Sequence, residues 1–141
     1  MVSKSMGTAA DAEAAFYDAI ARADINALMA LWADDDDIVC VHPGGSRLTG
    51  HAEIRASWEQ VFERGGVHIN VSRLHETHNM MTAVHSIVEE VHLSEGSKQD
   101  LHIIATNVFL KTAQGWRIVI HHASVAPGPA PSHQPPGTVL H

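Results

Sequence analysis

At Gly65-Gly66 the spacing of apolar residues changes, and that change constrains the fold more than any other feature of the chain. Before it, apolar side chains recur every three or four residues, the period of a half-buried helix. After it they recur every second residue: Val67, Ile69 and Val71 alternate with His68, Asn70 and Ser72, as in a strand with one buried face. Helices come first and strands follow, which points to an α+β domain with helices laid on one face of an antiparallel sheet.

Thr8 followed by Asp11 reads as a helix start, a hydroxyl N-cap with an acid three residues on. Ala12, Phe16, Ala19 and Ile20 then form one apolar stripe, with Tyr17 at its edge and Glu13 off it. Asp24 can cap a second helix carrying Ile25, Leu28, Met29 and Trp32, which the acidic run Asp34 to Asp37 closes. A strand is expected over Ile38 to His42, ended by Pro43-Gly44-Gly45, where proline fixes φ and glycine permits a tight turn. A third helix after Gly50 buries Ile54, Trp58, Val61 and Phe62 and turns Glu53, Arg55 and Glu59 to water. Beyond Val67 to Val71, strands are expected over Ala83 to Leu93, Leu101 to Lys111 and Trp116 to Val125, with hairpin turns at 94–97 and 113–115. The expected organisation is an N-terminal extension (1–8), one domain (9–126) and a proline-rich tail (127–141) without periodicity. The tail is expected to add little to the core and to extend as an arm toward a neighbouring subunit.

The chain has 141 residues, enough for one core and too few for two. Nine basic residues are scattered among sixteen acidic ones, so the basic cluster that a nucleic-acid partner requires is missing. No apolar run approaches the roughly 20 residues of a membrane span, and the first ten residues lack the apolar core of a secretory signal. A single cysteine, Cys40, excludes an internal disulfide and a thiolate metal cluster, and its apolar neighbours read as core. A cytoplasmic location is the expectation from these features. Histidine is over-used, at 12 residues, so net charge is sensitive to mild acid.

Helix, helix, strand, Pro-Gly turn, helix and four-strand meander resembles the layout of nuclear-transport-factor-2-like (NTF2-like) proteins, including the SnoaL-like group. The strings Ala27-Leu28-Met29-Ala30-Leu31-Trp32-Ala33-Asp34-Asp35, Leu48-Thr49-Gly50 with Ile54-Arg55 and Trp58, Gly115-Trp116-Arg117-Ile118-Val119 and His121-His122-Ala123-Ser124 are similar to segments of that class. Ile38-Val39-Cys40-Val41-His42-Pro43-Gly44-Gly45 resembles bacterial members in particular. The resemblance implies a cone-shaped curved antiparallel sheet with three N-terminal helices on its concave face, and a conical pocket. It does not imply one chemistry, because the class spans enzymes, transport factors and assembly domains.

The ketosteroid isomerase branch suggests where chemistry would sit. The place of its aspartate base holds His42 here, and its oxyanion-hole tyrosine and aspartate fall at Tyr17 and Asn107. Neutral histidine can accept a proton near pH 7, and asparagine can donate to a developing oxyanion. The same comparison turns Ile120 and His122 toward the pocket, while Trp32, Trp58 and Phe109 are expected as core that also lines its mouth. His42 and His122 could supply two metal ligands, with Glu89 or Glu90 as a third, but no ligand spacing supports a site, so no metal or cofactor is expected. Asp34 to Asp37 lacks the spaced ligands and central glycine of a calcium loop. Two readings remain open: a dimeric module binding a small, mainly apolar ligand, and a cofactor-independent acid–base enzyme using His42 and Asn107. Dimerisation is expected through the outer sheet face that carries Val108, Leu110 and Val119.

Overall fold

A computed structural model describes residues 7–92 and 101–126. The expected turn at 94–97, most of the N-terminal extension and the proline-rich tail lie outside the described residues. Helix α1 (Ala9–Arg22) begins where the Thr8 hydroxyl accepts the Asp11 amide at 3.0 Å, and ends on Ala23 in the left-handed conformation. Helix α2 (Ile25–Met29) is capped by Asp24, whose carboxylate accepts the Ala27 amide. It is shorter than the apolar spacing suggests. The chain leaves the helix after Met29, and Trp32 lies in an isolated parallel bridge with Ile118. There Ala33 N–H donates to the Ile118 carbonyl and Ile118 N–H to the Leu31 carbonyl, so sheet bonds replace further helical ones.

Strands β1 (Val39–Val41) and β2 (Arg47–Thr49) form a hairpin around Pro43-Gly44-Gly45. Helix α3 (His51–Val61) and a 3-10 turn (Phe62–Arg64) follow, and then the meander β3 (His68–His78), β4 (Thr82–His92), β5 (Leu101–Thr112) and β6 (Gly115–Val125). The six strands are ordered β2-β1-β6-β5-β4-β3 in one curved, unclosed sheet, antiparallel except where β1 meets β6. β2 was not expected, being three residues with a single half-buried side chain, Leu48.

Phe16, Ile20, Leu28, Ile54, Phe109 and Ile118 are fully enclosed between the helices and the concave face of the sheet. Gly66 lets β3 start against α1. A Cβ there would sit 1.9 Å from the Ala21 carbonyl oxygen, so only glycine permits this approach, and Val67 N–H then donates to Ile20. Two bulges shape the meander, at Leu74 in β3 and at Val119 in β6, each inserting one residue opposite none. Among the described residues no helix is long and apolar enough to cross a membrane.

Candidate functional site

Most of the buried polar side chains on the concave face gather in one cluster. Glu13 and Tyr17 come from α1, Arg73 and Glu76 from β3, His85 and Glu89 from β4, Asn107 from β5 and His121 from β6. Glu13, His85, Glu89, Asn107 and His121 are buried among apolar neighbours. Buried polar groups are costly unless paired. The pairing is extensive here. Tyr17 donates to Glu89 Oε2 at 2.5 Å, and Asn107 Nδ2 donates to Tyr17 Oη at 3.1 Å and to Glu13 Oε2 at 3.0 Å. Arg73 reaches Glu13 Oε1 with Nη2 at 2.7 Å and Nε at 3.2 Å. His85 lies between two carboxylates, its Nδ1 3.0 Å from Glu13 and its Nε2 3.0 Å from Glu76. The approach to Glu13 is too oblique for a hydrogen bond, which leaves Nδ1 an electrostatic contact without a bonded partner among the described residues.

His121 Nδ1 lies 2.6 Å from Asn107 Oδ1. An amide oxygen only accepts, so the ring proton is on Nδ1, and Nε2, 3.9 Å from Glu89 Oε2, carries the lone pair. Burial, with His42 and His122 adding to it, depresses the His121 pKa to about 3, so the ring is neutral. Burial raises Glu89 to about 7, opposed by the Tyr17 hydrogen bond and reinforced by Glu13. Tyr17 is pushed well above its ordinary value, by burial first and then by Glu89. A carboxyl poised near neutrality under a tyrosine hydroxyl can bind a ligand's polar end in either protonation state and can exchange a proton with it.

The structure brings Tyr17 and Asn107 into direct contact. His42 bonds Ser57 and packs its ring edge-on to Trp58 at 4.7 Å, and Trp58 also touches His121. The Ser57 hydroxyl donates to the Ile54 carbonyl, so the 2.9 Å contact between His42 Nε2 and Ser57 Oγ puts the His42 proton on Nε2. Burial lowers the His42 pKa, which favours the neutral ring. Trp32, Trp58 and Phe109 are buried in the core, and Phe16 packs edge-on to both tryptophans. The inward placement of Ile120 and His122 is corrected. Val108 pairs with Ile120 and Phe109 with Ile118, so Val119 is the extra residue and the alternation slips by one. His121 and Ala123 are therefore the buried pair, and His122 is exposed. Glu13, expected off the helix's apolar face, is also corrected: it is only 2 % exposed because Arg73 meets it from β3. Among the described residues no three His, Cys, Asp or Glu side chains converge to hold a metal ion.

A cleft of about 380 Å³ between α1 and β3 reaches this cluster, lined by Glu13, Tyr17, Ile69, Val71 and Arg73. The sequence carried a signal for the residues that were missed. Ala83, His85, Ile87 and Glu89 alternate on one strand face, which places two polar groups in an otherwise apolar row.

A model of the SnoaL-like domain matches residues 10–128. The fold is similar to a Thiobacillus denitrificans structure described as a calcium/calmodulin-dependent protein kinase type II association domain. That likeness has 33% identity, covers 88% of this chain and 99% of that one, and has a TM-score of 0.82. It is similar too to a structure from Streptomyces avermitilis described as a dehydratase from the NTF2-like family, with 30% identity over 83% of this chain and 92% of that one, at a TM-score of 0.75. A ketosteroid isomerase-like protein from Erwinia carotovora shares the fold at 24% identity, covering 84% of this chain and 92% of that one, with a TM-score of 0.68. No curated protein matches the chain.

Proposed function

The chain belongs to the SnoaL-like domain family, and from that premise we propose that it binds a small molecule in the cleft between α1 and β3. The polar end of the ligand sets on Tyr17, whose hydroxyl Glu89 and Asn107 hold from behind, and its apolar body lies along Ile69 and Val71. The observation that carries this reading is the Tyr17 to Glu89 bond, a polar pair kept inside the core beneath an open cleft. Buried polar groups cost stability unless they are paired, and titratable groups with shifted pKa values cluster at functional sites. Thermal-shift screening with cyclic ketones, phenols and hydroxy acids tests it. A ligand at a hundred times its Kd stabilises the native state by about 2.7 kcal/mol, and Tyr17→Phe is expected to abolish most of that shift. Compounds that stabilise the wild type and Tyr17→Phe equally would place the site elsewhere.

A second reading is cofactor-independent acid–base catalysis with His42 as base and Asn107 as oxyanion donor. The neutral state that burial favours for His42 supports it. Glu89, near 7 and bonded to Tyr17, is better placed to carry the proton than His42, which bonds Ser57 instead.

The same proposal includes a homodimer formed through the outer face of the meander. Ile104 and Leu110 are exposed there, beside half-buried Val108 and Ile120, while Val119 packs against the core. Light scattering at micromolar concentration should give about twice the 15.2 kDa chain mass, and a clean monomer would contradict it.

A further inference from the structure

A second cavity, of about 590 Å³, lies away from the polar cluster. Its walls come from the end of α2 (Met29, Ala30), the following segment (Trp32, Asp34), the first residue of α3 (His51), and the β5–β6 hairpin (Ala113, Gln114, Arg117). The parallel bridge of Trp32 with Ile118 stitches the first wall to the last. Thr112 stiffens the hairpin, its hydroxyl donating to the Gly115 carbonyl and accepting the Gln114 amide. Sheet and turn hydrogen bonds therefore hold these walls.

The charges of this cavity are not matched within the protein. Asp34 and Arg117 both line it, yet among the described residues neither makes an ion pair; the Arg117 guanidinium donates only to the Trp116 carbonyl. Trp32 borders the same space, and its indole N–H is buried without a hydrogen-bond partner among the described residues, an arrangement native structures rarely leave unexplained. A simple anion would meet Arg117 but be repelled by Asp34 and the acidic residues after it; a simple cation would meet the reverse. One molecule carrying both charges satisfies both sides. We infer that this cavity is a binding site for a small zwitterion of the α-amino acid class, with its carboxylate on Arg117, its ammonium on Asp34, and a short apolar side chain against Met29, Ala30 and Ala113. Arg117 suits the carboxylate because its planar fork can donate two parallel hydrogen bonds.

The test is calorimetric titration of the full chain with L-alanine and L-valine, and with isobutyrate and isobutylamine as single-charge controls. Saturable binding of an amino acid is expected, weakened at least tenfold for each single-charge control. Arg117→Gln and Asp34→Asn should each weaken it tenfold or more, with Asp34→Asn, in an exposed loop, serving as the variant that preserves the fold. Tyr17→Phe should leave it unchanged, which separates this site from the cleft between α1 and β3. Absence of binding at 20-fold molar excess of millimolar amino acid, equal binding of isobutyrate, or indifference to both charge variants would overturn the inference.

Discussion

Glu13→Ala is expected to destabilise the fold by about 3 kcal/mol, because breaking a buried ion pair leaves its partners uncompensated. Glu13 is 2 % exposed and accepts from Arg73 and Asn107 while facing His85. Truncation strands one Asn107 amide N–H inside the core, removes the carboxylate that faces His85, and leaves a void the size of a carboxylate. Arg73 is one-third exposed, so water recovers part of its loss, which keeps the cost at the lower end of the range for buried pairs. Glu13→Gln retains an acceptor and should lose less than Glu13→Ala. In a double-mutant cycle with Arg73→Ala the two losses should be less than additive. Urea unfolding measures all of this, and a loss below 1 kcal/mol for Glu13→Ala would mean the cluster is solvated rather than buried.

That cluster also marks where sequence reasoning reaches its limit. The helix starts at Thr8 and Asp24 were legible because a cap is a local device, satisfied within three residues. The change to strands after Gly66 was legible because periodicity is local too. Tyr17 and Asn107 came from family resemblance, and the structure puts them 3.1 Å apart. Glu13 was not legible, since its burial depends on Arg73, sixty residues away. His121 was hidden for a different reason. Alternation is counted from one end of a strand, and one unpaired residue inverts every assignment beyond it. Val119 carries no sign of being that residue; a glycine in its place would have suggested a bulge.

The largest effect is expected from acid, and it comes from two opposed titrations inside the cluster. Glu89 has a folded pKa of about 7 against an ordinary 4.5. Between those values the folded chain holds a proton that the unfolded chain has released. Its contribution is therefore full below pH 4.5 and is lost as pH rises toward 7, about 3 kcal/mol in all. His121 has a folded pKa of about 3 against 6.5. Between those values the unfolded chain holds the extra proton, so stability is full above pH 6.5 and is lost as pH falls toward 3, about 5 kcal/mol in all. From pH 4.5 to 6.5 the two slopes, each about 1.4 kcal/mol per pH unit, cancel. Glu89→Gln removes one of them while keeping an acceptor for Tyr17. The variant should exceed the wild type in stability at pH 8, and it should lose stability steadily from pH 6.5 to 4.5, where the wild type stays nearly level. Urea unfolding of both proteins across pH 4 to 8 measures this. The difference between the two curves isolates Glu89 from the shifted groups they share, His42 and His121. Parallel curves through that window would show that Glu89 titrates as an ordinary solvated carboxyl, and the reading of the cleft floor as a buried proton carrier would fall with it.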